Sequence, residues 1–219
     1  MAAKKKEEKT EFVNKQGKRL DGRTTDQVRP IKIQVGVVPR ARYSYRMATF
    51  SVPDRKNPKP GRRDIEISKV SSEAFERAIF TERFPNTAID IFVEVLDSNA
   101  GTRIAALTCA AVAVADAGIP MRDLISGVAV GKAGGKIIVD MNKFEEDAPD
   151  AVDIPMAILP NTEEIVLLQM DGLLSKKEWL EARGKAFEAI KQVYELQKQA
   201  LLKKYEQPVE AAENGGVVQ

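Results

Sequence analysis

Residues 88–96 (AIDIFVEVL), 97–101 (DSNAG) and 102–117 (TRIAALTCAAVAVADA) read as a β-type run, a short polar turn and an alanine-rich helix closed by Gly118 and Pro120. Small side chains on most sides of that helix suit close packing against a sheet, so this unit sets a strand and a helix back to back. Upstream, Ile67, Val70, Ala74 and Ala78 recur at helical spacing within residues 64–83. A basic, proline-punctuated loop at residues 53–63 (PDRKNPKPGRR) feeds that helix, and residues 29–38 (RPIKIQVGVV) and 42–50 (RYSYRMATF) alternate like half-buried strands. Downstream, strands at 128–130 and 136–140 flank a Gly134-Gly135 hairpin signal, and two more strands are expected at 154–159 and 164–169. Ser175 and Glu178 form a capping-box pattern, after which Leu180, Phe187, Ile190, Tyr194 and Leu201 carry an apolar stripe to about Tyr205. Strands in adjacent pairs with a few helices between them indicate an α+β body, mixed sheets packed with helices, and not a doubly wound sheet.

Composition sets the outer limits. The chain has 219 residues, 43% hydrophobic and 30% charged, enough for a real core without metal or disulfide staples. Residues 1–18 and 206–219 are polar, charged or proline- and glycine-bearing and read as flexible tails, leaving a folded body over 19–205. Histidine is absent, which excludes Ser-His-Asp and Cys-His catalysis and histidine-ligated zinc. The single cysteine, Cys109, excludes internal disulfides and cysteine metal clusters, and its place in the alanine-rich helix suggests a small buried side chain. The charged start carries no apolar stretch to act as a signal peptide, and a cytoplasmic location is expected. A net charge of +2 does not by itself argue for nucleic acid, so any such partner has to be met by a local patch.

Three groups of residues can carry chemistry. At the junction of strand and helix, Gly101, Thr102 and Arg103 offer uncapped backbone N–H groups, a hydroxyl and a bidentate guanidinium, the equipment for holding phosphate. The bland alternative is that Asn99 or Thr102 caps the helix and Arg103 is solvated. In the acidic stretch 145–153, Asp147 and Asp153 bracket a proline-containing turn and can share proton transfer or a divalent ion. A solvated acidic loop is the plainer reading. Arg62 and Arg63 open the first long helix and suit the phosphates of a nucleic-acid backbone. Tyr43 and Tyr45 lie nearby and can stack bases, although two tyrosines on a strand more often pack in a core.

Read together, these groups and the stretches around them resemble the RNase PH family, and within it the catalytic-type ring subunits of the archaeal RNA exosome. The matching stretches are GKRLDGR (17–23), RPIKIQVGVV (29–38), most of residues 55–96, ADAGIPMRDLISGVAVGKAGG (115–135) and LLQMDG (167–172). The resemblance implies an RNase PH-like fold with a long C-terminal helix, and 3′-to-5′ phosphorolysis of single-stranded RNA with inorganic phosphate as co-substrate and nucleoside diphosphates as products. It places the phosphate on Gly101, Thr102 and Arg103 and the RNA 3′ end on Arg62 and Arg63. It makes Asp147 the acid that protonates the leaving ribose oxygen, with Asp153 orienting the site or helping to hold a divalent cation, Mg being the one expected. It also implies an alternating six-membered ring with a related non-catalytic subunit, capped by RNA-binding proteins. A non-catalytic ring subunit of the same fold and an unrelated phosphate-binding enzyme are the alternatives. The surviving acids and phosphate loop argue against the first, and the Arg62-Arg63 pair against the second.

The sequence departs from the family pattern twice. Between Arg40 and Ala41 it passes directly to a later family segment, omitting roughly forty residues, the size of a few strands and their connections. A true deletion there leaves the first sheet with an unpaired edge. At Asn99 the family usually carries an acid, so a negative charge beside the phosphate loop is lost.

Overall fold

The computed structural model describes residues 13–14, 16–29, 43–84 and 88–206. The strand expected over 29–38, Arg29 excepted, the Arg40–Ala41 junction and the C-terminal tail beyond Glu206 lie outside these. The chain forms β1 (Tyr43–Met47), α1 (Arg62–Ala78), β2 (Ile91–Val95), α2 (Thr102–Asp116), β3 (Ser126–Ala133), β4 (Lys136–Val139), α3 (Lys143–Glu146), β5 (Val152–Leu159), β6 (Glu164–Leu168) and α4 (Lys176–Glu206). The helix read over 64–83 ends earlier, because Ile79 turns extended and bridges to Met121 before a single 3-10 turn at Thr81–Arg83.

Two sheets result. β1 and β2 pair in parallel with α1 as their crossover, and β4-β3-β5-β6 form an antiparallel sheet. The mixture of strand directions therefore lies between sheets and not within one. Among the described residues β1 has β2 as its sole ladder partner.

α1 and α2 lie between the sheets, α1 against β1 and β6, α2 against β2, β3 and β5, while α4 covers the outer face of β3 and β4. The antiparallel sheet is thus buried on both faces, which explains why β3 and β5 are apolar almost throughout and do not alternate. One core joins Phe75, Leu107, Val114, Ile125 and Leu159 between the helices and the sheet, and a second joins Val130, Ile154, Met156, Phe187 and Ile190 under α4. Gly127 lets α2 approach β3, since a Cβ there would stand 2.8 Å from Ile104. The Gly134-Gly135 hairpin forms as expected, both residues at positive φ, and the Ser175/Glu178 capping box closes with Glu178 N donating to the Ser175 hydroxyl at 3.3 Å.

Two expectations change. Cys109 is exposed, because it falls on the side of α2 that neither sheet covers. The body also reaches further toward the N-terminus than residue 19, since Val13 is buried against Ala133, Ile138, Met141 and Ala148. No helix among the described residues is long and apolar enough to cross a membrane.

Candidate active site

The three groups singled out in the sequence converge. Arg63 from the start of α1, Gly101, Thr102 and Arg103 from the start of α2, Asp147 after α3 and Asp153 on β5 line one open pocket of about 580 Å³. Arg62 opens the same helix one residue earlier, is exposed, and is not part of the lining. Glu66, Lys143, Glu146, Gln169 and Asp171 line the pocket as well; Glu146 belongs to the acidic stretch and Gln169 and Asp171 to the matching stretch 167–172, but none of the five was given a role from the sequence.

The start of α2 decides between the two readings of its first turn. Its N-cap is Gly101 in the left-handed conformation at φ 68°, and no side chain caps it. Asn99 turns away, its Oδ1 accepting from Lys143 N at 3.0 Å. The Thr102 hydroxyl is engaged by the buried Tyr45, whose OH donates to Thr102 Oγ1 at 2.7 Å. The first-turn N–H groups of α2 therefore keep no capping partner, and they face the pocket at the positive end of a 15-residue helix. Tyr45 is spent in this contact and in the core, so it is not a base-stacking residue.

The loop before α2 is held from behind. Ala100, a non-glycine residue, has φ 63°, and Asp140 has φ 54°. Both positions are strained for side chains with a Cβ. Arg29 spans them: Nη1 donates to Asn99 O at 2.6 Å and Nη2 to Asp140 Oδ1 at 2.6 Å, with Arg23 Nη1 on Asp140 Oδ2 at 3.0 Å. Burial alone would raise the Asp140 carboxyl, but hydrogen bonds and charge from Arg29, with Arg23, outweigh it and hold the group below the usual carboxylate range. Ten residues upstream of Arg29, Arg19 closes the same brace. Its Nε and Nη2 donate to Glu145 at 2.6 and 2.5 Å, both side chains fully buried. The acidic stretch is therefore not uniformly solvated: Glu145 is structural, and α3 hangs from it.

The two candidate acids sit in different surroundings. Asp147 is exposed and accepts from Lys143 Nζ at 2.6 Å, a contact that raises the lysine above its ordinary range. Asp153 is partly buried, its backbone tied to Asp171 by two hydrogen bonds of 3.0 and 2.9 Å. Burial first, and then the nearby Glu146 carboxylate, push Asp153 up to about 6, against the opposing pull of Arg103 and Arg63. Arg103 itself donates to Glu66 Oε2 at 2.9 Å and to Gln169 Oε1. Arg63 makes no ion pair among the described residues. The pocket thus combines an uncapped helix start, one arginine without an ion pair among the described residues and one acid raised to about 6, which suits a multiply charged phosphate and a proton delivered beside it. Among the described residues no three acidic or cysteine side chains are grouped so as to hold a metal ion.

Compared with known proteins, the chain matches the 3′ exoribonuclease family RNase PH, domain 1 over residues 40–120 and domain 2 over residues 123–189. The exosome complex component Rrp41 of Thermoplasma volcanium is 44% identical over 243 residues, covering 94% of this chain and 97% of the relative. Its counterpart in Pyrococcus abyssi is 44% identical over 236 residues, covering 91% and 94%. Both matched stretches exceed the 219 residues of this chain, so the relatives carry residues that it lacks. Rice Rrp46 shares the fold, with a TM-score of 0.69 at 14% identity over 84% of this chain and 100% of that one.

Proposed function

The chain belongs to the RNase PH family of 3′ exoribonucleases, and from this premise we propose that it is the catalytic subunit of an exosome ring, shortening single-stranded RNA from the 3′ end by phosphorolysis. Its expected neighbours are a related non-catalytic ring subunit and RNA-binding cap proteins, in the cytoplasm. The observation that carries the reading is the uncapped start of α2 opening into a pocket that also holds Arg63, Arg103 and the acids Asp147 and Asp153.

In this mechanism inorganic phosphate is held by the first-turn N–H groups of α2, by Gly101, whose lack of a side chain leaves the backbone open, and by Thr102 and Arg103. The RNA backbone is held by Arg63, with Arg62 on the outer turn of α1. A phosphate oxygen attacks the terminal phosphodiester, the P–O3′ bond breaks, and the 3′ oxygen of the shortened RNA takes a proton as the nucleoside diphosphate leaves. The electrostatics favour Asp153 as the donor of that proton, because a carboxyl near 6 is both available as acid and ready to ionise. Asp147, paired with Lys143, is then a charged group that shapes the same wall. This exchanges the two roles the family resemblance suggests. Among the described residues the acids are not grouped as a metal site, and every step above is carried by the chain's own residues.

The test is the chain assembled with its ring partner and single-stranded RNA, with and without inorganic phosphate, the products separated by chromatography. Nucleoside diphosphates released only with phosphate support the proposal. Nucleoside monophosphates released by water contradict the phosphorolytic step, and a folded ring that binds RNA without shortening it supports the non-catalytic alternative.

A further inference from the structure

Arg103 is not left to find its substrate alone. Its Nη2 donates to Glu66 Oε2 at 2.9 Å, its Nη1 donates to Gln169 Oε1, and Gln169 Nε2 donates to Glu66 Oε1 at 2.6 Å. Three side chains from α1, α2 and the residue after β6 thus close a ring of hydrogen bonds. A guanidinium is a planar fork, and contacts at both terminal nitrogens fix its plane as well as its position. An arginine already fixed loses little conformational freedom when an anion arrives, and one degree of freedom fewer at the reacting centre is worth large factors in rate.

The arrangement is not one that holds the core together. Glu66 is 41% exposed and Arg103 17% exposed, and pairs so near the surface contribute little to stability. Glu66 also follows Arg62 and Arg63 by four and three residues on the same helix, so it stands on the face of α1 that carries Arg63 into the pocket. One end of α1 therefore meets both the RNA-holding arginine and the phosphate-holding one.

Resting on the phosphorolytic reading of this pocket, we infer that Glu66 and Gln169 are positioning residues that hold the Arg103 guanidinium in the plane that receives inorganic phosphate, and that Glu66 ties this geometry to the helix that grips RNA.

The experiment uses the full chain assembled with its ring partner. Nucleoside diphosphate release is followed against phosphate concentration at saturating RNA, RNA affinity is measured without phosphate, and thermal unfolding is followed in parallel. Glu66→Ala raises KM for phosphate about tenfold or more, with RNA affinity and melting temperature unchanged. Glu66→Gln, which keeps an oxygen acceptor for Arg103, recovers most of that loss. Gln169→Ala moves the same parameter, and the double variant is no worse than the poorer single one, because both act through one guanidinium. A purely structural role would lower the melting temperature and leave phosphate KM unmoved, and that result overturns the inference. Phosphate binding followed by ³¹P NMR without turnover separates this inference from the reading beneath it. A ring that binds phosphate, loses it on Glu66→Ala, yet releases no diphosphate keeps the positioning role and removes phosphorolysis. Equal phosphate affinity in wild type and Glu66→Ala removes the positioning role, and a wild type that binds no phosphate removes both.

Discussion

The two walls of the pocket are built in opposite ways. Asp153 stands on β5, inside a sheet buried on both faces, with its backbone locked to Asp171. Asp147 stands on an exposed turn after the four-residue α3, which is anchored from below by the buried Arg19–Glu145 pair and from the side by Asn99. The difference teaches why two carboxylates six residues apart meet such different surroundings. Burial penalises ionisation on one wall, whereas water and Lys143 attend the other. A site of this kind can use both walls, one with a partly buried carboxyl raised to about 6 and one with an exposed ion pair.

The largest way to break the comparison is to remove the support of the exposed wall. Arg19→Ala strands a fully buried Glu145 carboxylate, and the expected loss is about 3–5 kcal/mol of stability, read by chemical denaturation. Next comes Asp153→Asn, which acts in opposite directions on activity and stability. Turnover is expected to fall by about 10²–10⁴, the usual worth of a positioned acid. The folded carboxyl titrates near 6 against an ordinary 3.8, so protonation favours the fold below about pH 4 and that contribution is lost as pH rises through 6. Above pH 6 the ionised Asp153 therefore destabilises the protein, and the asparagine variant is expected to be more stable at pH 7.5 by up to about 3 kcal/mol, with no gain at pH 4. Asp147→Asn sharpens the contrast: its stability hardly changes, as for other exposed ion pairs, and turnover falls less than in Asp153→Asn. Tyr45→Phe removes a buried hydrogen bond to Thr102 and is expected to cost about 1 kcal/mol, with a small rise in phosphate KM because the first turn of α2 loosens.

Much of this was legible in the sequence where the signal is local. The turn into α2, the Gly134-Gly135 hairpin and the Ser175/Glu178 box depend on neighbours within a few residues, and each formed where its pattern stood. The convergence of Arg63, Arg103, Asp147 and Asp153 was legible only through resemblance to a family, since no spacing rule joins α1 to β5. What stayed hidden depends on partners far along the chain. Glu66 meets Arg103 across 37 residues and Gln169 across 103, and Glu145 meets Arg19 across 126, so nothing near any of them marks its role. Cys109 was misread because an alanine-rich helix has no apolar stripe to show which side it buries; the sheets decide that. Lys143 stands just before the acidic stretch and reaches Asp147 one helical turn on, a local pair that shows only once α3 is seen to form there.

The central claim is that the buried wall supplies the proton. It is tested most directly by the pH dependence of kcat/KM for RNA shortening at saturating phosphate, in the assembled wild type and in Asp153→Asn. The account predicts a wild-type rate that falls roughly tenfold per pH unit above about 6, and a residual rate in Asp153→Asn without that fall. A wild-type profile that is flat from pH 5 to 8, or the same fall persisting in Asp153→Asn and vanishing in Asp147→Asn, would contradict it.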